Sequence, residues 1–167
     1  MTAPIIVTAL FDAADFAWLD GLRRRHYPAE RNQVPAHLTL FGHLAPDLAP
    51  ELKQRLNAAT RHQPPPRAWI AGLRDLGTGV AYRIESPELE DIRADLAEAF
   101  APMLIPQDRA GWRPHVTIQN KAEHAVVRAL HAELTAGFAR RPLMIAGLAA
   151  YHYRGGPWEI LSRHMFA

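Results

Sequence analysis

A chain of 167 residues, 49% apolar and 22% charged, is long enough to build one packed domain and ordinary in composition for a globular protein. Its formal net charge of +2 gives no strong basic field for a long nucleic acid, while a sequence pI near 9.3 suits an anionic ligand. The absence of cysteine excludes disulfides, thiolate metal sites and thiol nucleophiles. No basic leader precedes Asp12 and Asp15, and no apolar run approaches the roughly 20 residues of a membrane span, so a cytoplasmic protein without a signal peptide is expected.

The apolar run Ile5 to Leu10 reads as a strand. Asp12 then caps a helix with Phe16, Leu19 and Leu22 along one stripe, ending before Pro28. A loop from Tyr27 to Ala36 leads into the strand His37-Leu38-Thr39-Leu40. A helix carrying Leu52 and Leu56 follows and stops at Pro64-Pro65-Pro66. Trp69 to Leu76 and Val80 to Ile84 form a hairpin around Gly77-Thr78-Gly79.

The second half repeats this order. Ser86-Pro87 is a cap with a first-turn proline, opening a helix with Leu89, Ile92, Leu96 and Phe100 on one face. A loop from Ala101 to Arg113 precedes the strand His115-Val116-Thr117-Ile118. Asn120 with Glu123 has the spacing of a capping box for a helix lined by Val127, Leu130 and Leu134 and ended by Gly137. Leu143 to Tyr153 and Trp158 to Met165 make a closing hairpin around Gly155-Gly156. Ile70-Ala71-Gly72-Leu73 recurs as Ile145-Ala146-Gly147-Leu148, at matching places in the two halves. One domain spanning 1–167, with a repeat of roughly 11–85 and 86–167, is expected.

The most telling repetition is chemical. Each half carries histidine, aliphatic, threonine, aliphatic on a strand. Alternate strand residues share a face, so His37 with Thr39, and His115 with Thr117, project together while the aliphatic residues enter the core. A pseudo-two-fold axis would face one pair with the other. Histidine takes or gives a proton near neutral pH, and threonine hydroxyls donate hydrogen bonds to oxygens gathering charge. The four residues therefore suit acid–base chemistry on a phosphodiester. Only one imidazole per strand is available and no acidic residue is near in sequence, so neither a metal nor another cofactor is expected.

These residues resemble the paired motifs of the two-histidine (2H) phosphoesterase superfamily, and most nearly its bacterial 2′-5′ RNA ligase-like or RNA 2′,3′-cyclic phosphodiesterase branch. The flanks Pro35-Ala36 and Trp112-Arg113-Pro114 and the ending Tyr153-Arg154-Gly155-Gly156-Pro157-Trp158-Glu159 share the likeness. The resemblance implies an α+β fold of two pseudo-symmetric lobes of antiparallel sheet, helices packed outside and a groove between them. It implies catalysis by His37, Thr39, His115 and Thr117 on a 2′,3′-cyclic phosphate at an RNA end or on a small nucleotide, with reversible 2′-5′ ligation also open. By the same analogy His37 is the acid and His115 the base. Relatives acting on RNA often carry a cation just after the motif strands; here only Lys121 supplies one.

Phe41, Trp112, Arg113 and Tyr153 are the candidate substrate contacts, and Arg109, Arg154, Trp158 and His43 are weighed beside them. The cluster Arg23-Arg24-Arg25 with Arg31 reads first as cations closing a helix C-terminus. The other histidines, His152 and His164 among them, read as surface or helix-face residues. A monomer without an obligate protein partner is expected. The rival readings are a module that binds a nucleotide or RNA end without turnover, and a structural or partner-binding domain.

Overall fold

The first strand, β1 (Ile5–Phe11), is buried on both faces from Ile5 to Ala9 and puts Ile5, Val7 and Ala9 into the core of the computed structural model, which describes residues 3–167. Asp12 caps α1 (Ala13–His26) by accepting a hydrogen bond from the Asp15 N–H at 2.9 Å. The remaining elements are β2 (Leu38–Leu44), α2 (Ala49–Thr60), β3 (Arg67–Asp75), β4 (Val80–Glu85), α3 (Pro87–Ala99), a single turn α4 (Pro106–Arg109), β5 (His115–Gln119), α5 (His124–Ala136), β6 (Arg141–His152) and β7 (Glu159–Met165).

All pairings are antiparallel. The circuit β1-β2-β5-β4-β3-β6 returns to β1 and closes the sheet into a barrel, with β7 added to β6. The long strand β6 serves both halves. Its start, Arg141 to Met144, pairs with β3, and its later part pairs with β1 and β7. Opposite β6 the circuit is closed by a single register pair, Leu38 with Val116. The two strands carrying the His-x-Thr motifs are therefore the loosest seam of the barrel.

The helices pack outside, α1 over β5, α2 over β6 and β7, α3 over β3, and α5 over β3 and β4. Leu38, Leu40, Val116 and Ile118 are at most 1% exposed and join Leu52, Leu56, Leu89 and Leu96 in one core. Each such side chain contributes about 1.5–3 kcal/mol through burial. That pull fixes the opposite face of both motif strands toward the groove. At the turn between β3 and β4, Gly77 has a positive φ of 83°, a conformation open to glycine. Gly79 lies so close to the end of β5 that a Cβ there would sit 1.8 Å from the Gln119 carbonyl oxygen.

Three local expectations are corrected. Phe16 is 37% exposed, so the inward stripe of α1 runs through Leu19 and Arg23. Asn120 does not cap α5, whose N-cap is Glu123 with no side-chain bond; the Asn120 side chain accepts from Thr78 and from the Lys121 N–H. The segment 101–113 contains the turn α4, which sequence periodicity cannot register in four residues.

Candidate active site

The seam residues Leu38 and Val116 point inward, so their neighbours point the other way. With these two as register partners in antiparallel strands, His37 stands across from Thr117 and Thr39 across from His115. All four side chains are half-buried, and the two rings are near enough for a charge on His115 to act on His37. Beside them lie Thr8, paired with Thr39, and Ala81, paired with Thr117. Both are small and buried.

Why do the motif strands separate after one pair? Side chains occupy their facing edges. Trp112 Nε1 donates to the Thr39 carbonyl at 3.0 Å, and Arg23 Nη1 donates to the Thr117 carbonyl at 3.1 Å. The two ties are equivalent across the seam. Arg93, 7% exposed, donates to the carbonyls of Leu40 at 3.1 Å and Asp108 at 2.7 Å, with its guanidinium 4.4 Å from the Phe41 ring centre. Asp108, 5% exposed, accepts from the N–H groups of Gly42 and His43 at 3.0 Å each. Arg23, 3% exposed, donates from Nε to Asn32 at 2.8 Å and lies 4.3 Å from the Tyr27 ring centre. Backbone groups that a continuous sheet would pair are thus satisfied, and a cleft is kept.

Both imidazoles are oriented from behind by a backbone carbonyl two residues earlier. His37 Nδ1 lies 2.8 Å from the Pro35 oxygen and His115 Nδ1 lies 2.9 Å from the Arg113 oxygen. A proton on Nδ1 leaves the Nε2 lone pair for the groove. Burial pushes the His37 pKa down to about 4, with Arg23 and His115 adding repulsion and the Pro35 hydrogen bond opposing it. Burial also lowers the His115 pKa, aided by Arg74 and Arg113 and opposed by the Arg113 carbonyl. Burial thus favours the neutral form of both rings. The Trp158 ring meets His37 edge-on with centres 4.6 Å apart, and Arg74 Nη1 stands 3.0 Å from His115 Nδ1.

A cavity of about 310 Å³ is lined by Thr39, Arg74, Arg93, Asp108, Trp112, Arg113 and His115. A larger one of about 500 Å³ lies elsewhere, between α2, α3 and Phe166, and none of the motif residues borders it. Among the described residues no group of three or more His, Asp or Glu side chains comes together as a metal ligand set. The bordering charge is cationic, because the Asp108 carboxylate is committed to backbone N–H groups.

Of the four residues named as substrate contacts, Trp112 and Arg113 line this cavity, Trp112 also acting as a strand tie. Phe41 does not, and that expectation is corrected. Val7 pairs with Phe41 and Thr8 with Thr39, so Leu40 is an extra residue that breaks the alternation and turns Phe41, 0% exposed, into the core. Tyr153 is 44% exposed in the last turn, its N–H on the Pro4 carbonyl; the aromatic ring against His37 is Trp158. His164 is no surface residue: it is 6% exposed, and its ring bridges Ser162 and Asn57. No sequence signal marks Arg74, Arg93 or Asp108 for the site, and Arg23 stands out only within the basic cluster at the end of α1. Arginine and aspartate within amphipathic stretches look solvated in a sequence, and only the packing reveals otherwise.

A family model described as the 2′-5′ RNA ligase superfamily matches residues 11–157. The chain belongs to this superfamily, the two-histidine phosphoesterases. Solved structures agree on the fold. TT0787 of Thermus thermophilus is 17% identical, with 98% of this chain and 97% of that one covered and a TM-score of 0.67. Escherichia coli LigT complexed with 3′-AMP is 16% identical, with 100% and 99% covered and a TM-score of 0.62. LigT has also been crystallised with NADP+ and with ATP. No curated protein sequence matches the chain. Superfamily membership makes the protein one of a group of phosphoesterases and ligases, and the α+β barrel with outer helices is the LigT-like fold.

Proposed function

We propose that this protein hydrolyses a 2′,3′-cyclic phosphate, on an RNA end or a small nucleotide, by metal-independent acid–base catalysis. The observation that carries the reading is the seam: one register pair, Leu38 with Val116, sets two imidazoles and two threonine hydroxyls around one patch of groove. In the reaction His115 Nε2 takes a proton from water as its oxygen attacks phosphorus. The bond to the 3′ oxygen breaks, and His37 gives that oxygen its proton, leaving a 2′-phosphate. Thr39 and Thr117 donate to the non-bridging oxygens as charge accumulates. Each acid–base group is worth about 10²–10⁴ in rate.

His37 must carry a proton to act as acid, although burial holds it neutral in the free protein. A phosphate anion entering the groove supplies the missing counter-charge and raises the pKa. The nucleotides bound by LigT support a nucleotide as ligand. Trp112 and Arg113 are the side chains of the cavity wall suited to a base and a further phosphate. A monomeric, cytoplasmic enzyme fits this reading.

The test is a panel of 2′,3′-cyclic mononucleotides, cyclic-phosphate-ended RNA and 2′-5′-linked oligonucleotides, assayed with and without chelator. Chelator-resistant formation of a 2′-phosphate supports the proposal. Tight binding without product would replace it with the binding-module reading. Activity abolished by chelator and restored by a divalent metal would overturn the metal-free scheme.

A further inference from the structure

The two motif histidines are alike in front and different behind. His37 Nδ1 meets the Pro35 carbonyl, with Trp158 at the ring edge. His115 Nδ1 meets the Arg113 carbonyl and also a guanidinium, since Arg74 Nη1 is 3.0 Å from that nitrogen and 3.3 Å from the same carbonyl. Arg74 lies on β3, in register with Ala81 of β4, which in turn is in register with Thr117. Ala81 has no side chain beyond Cβ, so the arginine can reach across to His115. No motif supplies this residue, and it comes from neither motif strand.

We propose that Arg74 is a positioning residue for His115: it keeps that ring neutral while a phosphate occupies the groove, so that His115 acts as base and His37 carries the proton. The argument concerns what each protonation state does to the contact. A neutral ring can meet both groups: with its proton on Nδ1 it donates to the Arg113 carbonyl, which also accepts from Arg74, and presents the Nε2 lone pair as the base; with its proton on Nε2 it accepts from Arg74 at Nδ1. A cationic ring would set two positive charges about 3 Å apart on one carbonyl oxygen, an arrangement that disfavours the charged form. An incoming phosphate draws protons toward both histidines. At His115 Arg74 opposes that pull in contact with the rear nitrogen; at His37 the rear nitrogen meets a carbonyl, and the repulsion from Arg23 comes from a guanidinium bonded to Asn32 and to the Thr117 carbonyl.

The other charges around His115 do not reverse this. Arg113 precedes it, Arg83 pairs beside it on β4 and is 3.8 Å from Glu85, and Arg23 reaches β5 from α1. Asp108 borders the same cavity with its carboxylate on the Gly42 and His43 N–H groups, and His37 faces from the position just before β2. The assignment of base and acid rests on the proposed function; the effect of Arg74 on the ring does not.

The experiment is a ¹H–¹⁵N NMR titration of the histidine side chains in the wild-type protein and in Arg74→Gln and Arg74→Lys, with and without inorganic phosphate. Arg74→Gln is expected to raise the His115 midpoint by about one pH unit and to leave His37 within a few tenths. Arg74→Lys, which keeps the charge, should retain the wild-type midpoint, and phosphate should raise His115 more in Arg74→Gln than in the wild type. An unmoved His115 midpoint in folded Arg74→Gln overturns the proposal, as does an equal rise in Arg74→Lys. If the ring responds as expected while cyclic phosphates are not hydrolysed, the positioning role stands and the proposed function fails.

Discussion

Asp108→Asn probes how the groove is held open. The carboxylate accepts from Gly42 N at 3.0 and 3.1 Å and from His43 N at 3.0 Å, fixing the end of β2 where its ladder to β1 is irregular. The amide is the same size but has one acceptor oxygen. It can serve one of the two N–H groups and must turn an NH2 donor toward the other. Losing one charge-assisted hydrogen bond and leaving a donor opposed costs about 2 kcal/mol, at the low end because Gly42 and His43 are themselves exposed. For a domain of this size that is a fall of roughly 4–8 °C in Tm. Differential scanning calorimetry at neutral pH measures it. The hydrolysis rate should fall less than for either motif histidine, since neither reacting group is touched. An unchanged Tm in Asp108→Asn would refute the claim that this carboxylate secures the motif strand.

Other outcomes follow from the same contacts. Because burial lowers the pKa of both imidazoles, the alkaline limb of kcat/KM should fall below the ordinary histidine value of about 6.5, and a profile rising to pH 8 would contradict this. Stability should share the dependence: the unfolded chain takes a proton at His37 near pH 6.5 and the folded one only near pH 4, so stability is full above that window and lost as pH falls through it. His37→Asn should remove that part of the slope, at most roughly 3 kcal/mol, in urea titrations between pH 7 and 4. Gly79→Ala should cost more than about 2 kcal/mol, because its Cβ would overlap the Gln119 carbonyl; a Tm within 2–4 °C of wild type would exclude so rigid a contact.

The sequence was most legible where periodicity and chemistry coincide. Leu38, Leu40, Val116 and Ile118 are strong enough apolar anchors to orient the motif strands without further information, and Ser86 is the N-cap that its position before Pro87 implies, bonded to the Leu89 N–H. Legibility ended where one residue breaks a register. Leu40 is both a core residue and the bulge that sends Phe41 inward, and a bulge leaves no mark in an alternating pattern until the partner strand is known. It ended again at long-range polar contacts. Arg23 and Arg93 are separated by 94 and 53 positions from the carbonyls they hold, Thr117 and Leu40, and in a helix each reads as a solvated charge. The seam that defines the groove is made by such contacts, so its existence was inferable from symmetry but its construction was not.

The most direct test of a shared site is the double-mutant cycle of His37→Asn and His115→Asn, with single-turnover hydrolysis of a 2′,3′-cyclic nucleotide measured for wild type, both single variants and the double. Two groups acting on one phosphorus atom give losses of about 10² or more in each single variant and a double variant scarcely slower than the worse single. Losses that multiply, or one variant that keeps near-wild-type turnover while folded, would contradict the account.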